Sequence, residues 1–214
     1  MTGQGPSRPA RAERAGLAPA KRGRAGAAAR QRLFVALALP GDVSEALAGW
    51  AASALGRDDG LRLVERDALH VTLAFLGWRE PGDSERTAAT VADAVAGLTA
   101  PRLEPTALVA LPRGRPRVLV IGLADEDERA AAAHDAGGAA LAAAGLHEPE
   151  RRRFRPHVTV ARVRRGSVPG GRVAVPLPER AFSTPRVVLY RSHLRHDGAH
   201  YEELATAVLA APGA

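Results

Sequence analysis

Cysteine is absent from the 214 residues. That removes a disulfide framework, a thiolate nucleophile and any cysteine-held zinc from consideration, and it fits a reducing cytoplasm. No apolar run approaches the ~20 residues that a membrane-spanning helix needs. The start of the chain lacks the continuous apolar stretch of a secretory signal. Lysine is nearly missing too: Lys21 stands alone against 29 arginines, in an alanine-rich chain that reads as codon bias from a GC-rich genome. Acid is scarce in one place only. Residues 1–30 carry Arg8, Arg11, Arg14, Lys21, Arg22, Arg24 and Arg30 against Glu13, so +6 of the formal charge of +7 belongs to this tail and the body is nearly neutral. With almost no large apolar side chain, residues 1–30 cannot offset their ordering entropy and are expected to be a disordered basic tail before a single domain, 31–214.

Within that domain, strand-like and helix-like segments alternate. "RLFVALALP" (32–40), "LRLVE" (61–65), "RLEPTALVALP" (102–112), "RPRVLVIGLA" (115–124) and "PRVVLYRSHL" (185–194) read as strands. Helical spacing runs from 42 to Gly56, from 83 to 98 and from 125 to 146, the last with an acidic start and a Gly137-Gly138 pair that could kink it. Asp197-Gly198 signals a hairpin before the closing strand "AHYEELATAVL".

Two further strands carry the chemistry. "HVTLAFLG" begins at His70 and "HVTVARV" begins at His157, 87 residues later. Alternation along a strand puts Val71, Leu73 and Phe75 on one face and His70, Thr72 and Ala74 on the other. The second copy sets His157 and Thr159 against Val158 and Val160. One His-x-Thr in a buried strand means little, but two at comparable places in two halves imply a pseudo-duplicate. The expected fold is an α+β pseudo-duplicate of antiparallel sheets with helices outside, one histidine strand from each lobe facing a shared active-site cleft. Two imidazoles across a cleft supply a general acid and a general base, and two hydroxyls donate to an anion. Phosphodiester chemistry fits such a cradle and requires no metal.

These motifs, with "RLFVALALP", "RPHVTVAR" (155–162), "VVLYRSHL" (187–194) and "YEEL" (201–204), resemble the two-histidine (2H) phosphoesterase superfamily. Within it they resemble the bacterial and archaeal RNA 2′,3′-cyclic phosphodiesterases, also called 2′-5′ RNA ligases. The resemblance spans roughly 31–209 and implies a bilobal α+β fold with a pseudo-two-fold axis through the active-site cleft between lobes. It implies hydrolysis of a 2′,3′-cyclic phosphate at an RNA 3′ end to a 2′-phosphomonoester, without cofactor, by a cytoplasmic monomer. It also implies that His70 protonates the departing 3′ oxygen, that His157 activates water, and that Thr72, Thr159 and Arg162 hold the phosphate. Strict alternation puts Arg162, five residues after His157, on the wrong face unless a bulge intervenes. Phe34 and Tyr190 are candidates for walling a base pocket, and each is equally a core aromatic.

Other constellations are weaker. His193, His196 and His200 straddle the Asp197-Gly198 turn and read as solvated turn histidines, with no metal site expected. His134 and His147 have no partner pattern. Arg151, Arg152, Arg153 and Arg155, with Arg164 and Arg165, flank the second motif, where two acids cannot neutralise them; they are candidates for tracking RNA phosphates. The arginines at 113–117 read first as a turn. A non-catalytic RNA-end binding protein is the alternative from another class, and within the enzymes the substrate could be a 2′-5′ linkage or a small cyclic phosphate.

Overall fold

A computed structural model describes residues 1–2, 29–148, 152–168, 175–195 and 198–211. Most of the basic tail, Arg151, the glycine-rich stretch near 170, His196 and Asp197 lie outside these. Among the described residues, nine strands and three α-helices run β1 (Gln31–Ala38), α1 (Gly41–Leu55), β2 (Leu61–Leu63), β3 (His70–Arg79), α2 (Asp83–Val95), β4 (Arg102–Leu111), β5 (Val118–Ala124), α3 (Arg129–Ala143), β6 (His157–Val163), β7 (Phe182–Ser183), β8 (Arg186–Arg195) and β9 (Gly198–Val208). The third helix is unbroken at Gly137-Gly138, and its acidic start is a cap: Asp125 accepts from the Ala130 and Ala131 amides through its two oxygens. No helix among the described residues is long and apolar enough to cross a membrane.

The strands form one antiparallel sheet, ordered β7-β4-β5-β6-β3-β1-β8-β9, with β2 paired to β6. Two β-α-β units, β1-α1-β3 and β5-α3-β6, meet at its centre. A later strand after each unit crosses into the other half: β4, after the first, joins β5, and β8, after the second and the short β7, joins β1. The helices cross as well, α1 packing against β6 and α3 against β3, so the two lobes share a core. The expected duplication is present in interlocked form.

Leu33, Val35 and Leu37 of β1, Val71 and Leu73 of β3, Ile121 of β5, Val158 and Val160 of β6, and Val187 and Leu189 of β8 form the helix-covered face of the sheet, against Leu47, Trp50, Val91, Val95 and Leu141 of the helices. The opposite face is open, and in the β1 half a separate cluster of Phe34, Ala36, Ala38, Val188 and Tyr190 floors it.

Both histidine strands are bulged at the same place. Ala36 pairs with Thr72 and Val35 with Ala74, which leaves Leu73 as the extra residue; Val120 pairs with Thr159 and Leu119 with Ala161, which leaves Val160. A bulge resets alternation by one residue. Leu73 and Ala74 are therefore both buried, as are Val160 and Ala161. The residue five beyond each histidine swings to the open face, which corrects the simple alternation: Ala74 is a core residue and Phe75, 57% exposed, lies on the histidine face. Arg162 joins that face by the same shift.

This arrangement separates two apolar truncations. Leu37→Ala removes a fully buried side chain at the sheet centre and should cost about 2–5 kcal/mol in urea unfolding. Phe75→Ala should cost well under about 1 kcal/mol, because its ring already faces water. A large loss for Phe75→Ala would contradict the bulged register.

Candidate active site

The two motifs meet at one pair, Val71 opposite Val158, in the antiparallel contact of β3 with β6. Antiparallel register around that pair sets His70 beside Thr159 and Thr72 beside His157, all four toward the open face. The imidazoles are held alike. His70 Nδ1 lies 2.8 Å from the Ala68 carbonyl, and His157 Nδ1 lies 2.8 Å from the Arg155 carbonyl. A carbonyl only accepts, so Nδ1 is the donor in each ring and Nε2 is left for chemistry. In the neutral ring, the Thr72 hydroxyl donates to His70 Nε2 across 3.0 Å. Among the described residues, His157 Nε2 has no hydrogen-bond partner, so its lone pair is available.

The environments differ. Phe34 packs against His70 with ring centroids 4.8 Å apart, and Tyr201 meets it edge-on at 5.3 Å. Burial, reinforced by the charges of Arg162 and His157 and opposed by the Ala68 carbonyl, pulls the His70 pKa down to about 4. A cavity of about 150 Å³ lies over this half of the sheet, and His70, Thr72, Thr159, Arg162, Phe34 and Phe75 are among its lining residues. Among the described residues, Arg32 and Arg162 are its only arginines, and no Asp or Glu lines it. The site suits an anion.

Of the two aromatic candidates, Phe34 is buried and lines the cavity from beneath. Tyr190 is stacked behind Phe34 at 5.1 Å and does not line the cavity. Burial, together with nearby Glu203, pushes its phenol up to about 12. The aromatic rings that sequence reasoning missed are Phe75 and Tyr201. Phe75 had a signal, since it stands five residues after His70 as Arg162 stands five after His157.

The remaining histidines and arginines are dispersed. His193 Nε2 is 2.8 Å from Glu202, while His134 pairs with Asp135 and stacks on Phe154 at 4.4 Å. Arg152, Arg153 and Arg155 line a second cavity, of about 580 Å³, that also holds Asp125, Glu128 and Asp135. Arg153 there is 3.4 Å from Glu128. Arg164 and Arg165 line a third cavity, of about 690 Å³, with Arg115 and Arg117 and, among the described residues, no carboxylate. The sequence grouping of arginines thus splits in space, and the 113–117 turn contributes two of its own to the uncompensated patch.

Residues 39–168, which hold both histidine motifs, match the family described as the 2′-5′ RNA ligase superfamily. The chain belongs to this superfamily. It is 30% identical over 190 residues to the RNA 2′,3′-cyclic phosphodiesterase of Geobacillus stearothermophilus; the match takes in 86% of this chain but only 59% of that relative's length. A crystal structure of a Thermus thermophilus protein superimposes with a TM-score of 0.72 at 26% identity, covering 85% of this chain and 99% of that one. The E. coli LigT structure complexed with 3′-AMP has a TM-score of 0.69 at 23% identity, over 84% and 98% of the two chains, and shares the fold. The 2H architecture read from the motifs is the superfamily's.

The lowered His70 pKa has a measurable consequence. Between about 6.5 and about 4 the unfolded chain binds the proton that native His70 refuses. Its contribution is therefore intact above the unfolded value and is lost as pH falls toward the folded one. Urea midpoints should drop more steeply from pH 7 to pH 4 in the native protein than in His70→Gln. Parallel curves would show that His70 is not desolvated.

Proposed function

We propose that the protein hydrolyses 2′,3′-cyclic phosphate ends of RNA to 2′-phosphomonoesters by metal-independent two-histidine catalysis. The observation that supports this best is the matched pair of Nδ1-clamped imidazoles on one open face, each beside a threonine of the other motif. In this reading the phosphate sits against Thr72, Thr159 and Arg162, whose donors stabilise the negative charge on its non-bridging oxygens. His157 Nε2, with its lone pair available, takes a proton from water as the water oxygen attacks phosphorus. The bond from phosphorus to the 3′ oxygen breaks, and His70 Nε2–H gives that oxygen its proton.

His70 must therefore carry a proton in the complex that it lacks in the free protein at neutral pH. The bound anion supplies the reason: it offsets the opposing charge of Arg162 and favours the imidazolium directly. The same lowered pKa supports a second reading, in which neutral His70 is the base and His157 the acid.

Short RNAs ending in 2′,3′-cyclic phosphate test the activity. The product should be the 2′-phosphate, unaffected by EDTA, with a bell-shaped pH profile belonging to the histidine pair. His70→Ala and His157→Ala should each lower turnover by roughly 10²–10⁴-fold. The double variant should lose far less than the product of the two, because they act as one proton-transfer unit. Thr72→Ala and Thr159→Ala should be milder. A substrate with a good leaving oxygen should rescue His70→Ala alone; rescue of His157→Ala alone would establish the reversed roles. Binding of cyclic-phosphate RNA with no hydrolysis at any pH would leave an RNA-end binding protein, and dependence on a divalent ion would end the metal-free mechanism.

A further inference from the structure

Beyond the phosphate cradle, the cavity continues along β1 and β3 to an end lined by Arg32, Gly77 and Ser192. Between the two ends lie the rings of Phe34, Phe75 and Tyr201. Register places Arg32, Gly77 and Ser192 together: Arg32 pairs with Trp78, Leu33 with Gly77, and Leu33 also with Arg191, the neighbour of Ser192. Ser192 is 7% exposed, and its Oγ is buried without a hydrogen-bond partner among the described residues. Native proteins satisfy nearly all buried polar atoms, so a lone hydroxyl on a residue that lines a cavity is one that water or a ligand completes. Arg32 makes no described hydrogen bond or ion pair, and no described carboxylate lines the cavity to occupy it. Gly77 places no side chain over this end.

We infer that Arg32 and Ser192 form a base-reading subsite that selects nucleotides with keto bases, guanine and uracil, over adenine and cytosine. This rests on the reading of the cradle as a cyclic-phosphate site and adds the identity of the terminal nucleoside. With the phosphate on the His-Thr-Arg cradle, the base lies on the aromatic middle of the cavity and its edge reaches the polar end. Arginine has five N–H donors and accepts nothing, whereas a serine hydroxyl both donates and accepts. A keto base presents a carbonyl oxygen next to a ring N–H. Arg32 donates to the carbonyl, and Ser192 accepts from the N–H. An amino base reverses the pattern: its NH₂ meets the donor-only guanidinium, while its ring nitrogen can still accept from Ser192. Discrimination therefore lies with Arg32, and Ser192 contributes to all four bases.

The test compares kcat/KM for the four nucleoside 2′,3′-cyclic monophosphates in the native protein, Arg32→Gln and Ser192→Ala. The native protein should favour guanosine and uridine by on the order of tenfold, the scale of one well-placed arginine–base contact. Glutamine both donates and accepts, so Arg32→Gln should compress the four rates to within about threefold of one another; an arginine that merely held the fold would lower all four alike. Ser192→Ala should lower all four with the keto preference intact, and its melting temperature should not fall, since no protein partner is lost. Equal native rates, a preference for adenosine or cytidine, or a keto preference that survives Arg32→Gln would overturn the inference. If none of the four is hydrolysed, the proposed activity fails separately. Calorimetric binding of the four nucleoside 2′-monophosphates then decides the subsite, with the same order expected and equal affinities refuting it.

Discussion

The contact on which the rest of the structure depends is the pairing of Val71 with Val158. Both side chains are fully buried beneath the sheet, and both are followed one residue later by a threonine on the open face. Because antiparallel pairing reverses direction, this one contact carries each histidine to the other motif's threonine. A slip of a single residue would turn every one of these side chains to the opposite face. The core opposes such a slip from below. Helix α1 lies under β6 and α3 lies under β3, so each histidine strand is packed against a helix from the other unit. Two separately folding lobes would leave the spacing of the imidazoles to a hinge; a shared core makes it a property of packing.

On that near-symmetric frame, the proposed acid–base chemistry requires asymmetry. Two identical imidazoles would titrate alike, and an acid and a base must differ. The frame supplies the common part, an Nδ1 clamp on a carbonyl two residues back in each motif. The surroundings supply the difference. Phe34, Tyr190 and Tyr201 gather around His70 and desolvate it, drawing on both tyrosines of a chain that has only two. Across the centre, His157 pairs with Gly122, where an added Cβ would meet Thr106 Oγ1 at 3.1 Å. Position five differs as well: Phe75 stands there in one motif and Arg162 in the other, and the Arg162 charge acts on His70.

The parts legible in the sequence were those that repeat. His-x-Thr occurring twice pointed to the duplication, the open face and the central strands, because period-two patterning survives any tertiary detail. The bulges at Leu73 and Val160 were not legible. Apolar residues occupy those positions and their neighbours, so nothing local distinguishes a bulged core strand from a straight one. That single hidden feature misassigned Phe75 and Ala74 and left Arg162 facing both ways. The burial of Tyr190 behind Phe34 was equally out of reach, since it depends on β8 crossing into the other half to pair with β1. Ser192 offered no signal at all: a buried hydroxyl is informative only once its partners can be counted.

The arginines show why charge must be located before it is interpreted. With 29 of them, proximity in sequence selects nothing, and the run before His157 draws the eye because it is dense. In the folded protein that run shares its cavity with Asp125, Glu128 and Asp135, so much of its field is cancelled locally. The cavity over the two motifs has just two arginines among the described residues, yet no described carboxylate faces it. Interaction between charges weakens with distance and with solvent, so a few guanidiniums in a partly enclosed, acid-free pocket act on an anion more strongly than many in a balanced one. The fitness of this site for an anion is therefore built by keeping acids off one face of the sheet, and abundance of arginine elsewhere is incidental to it.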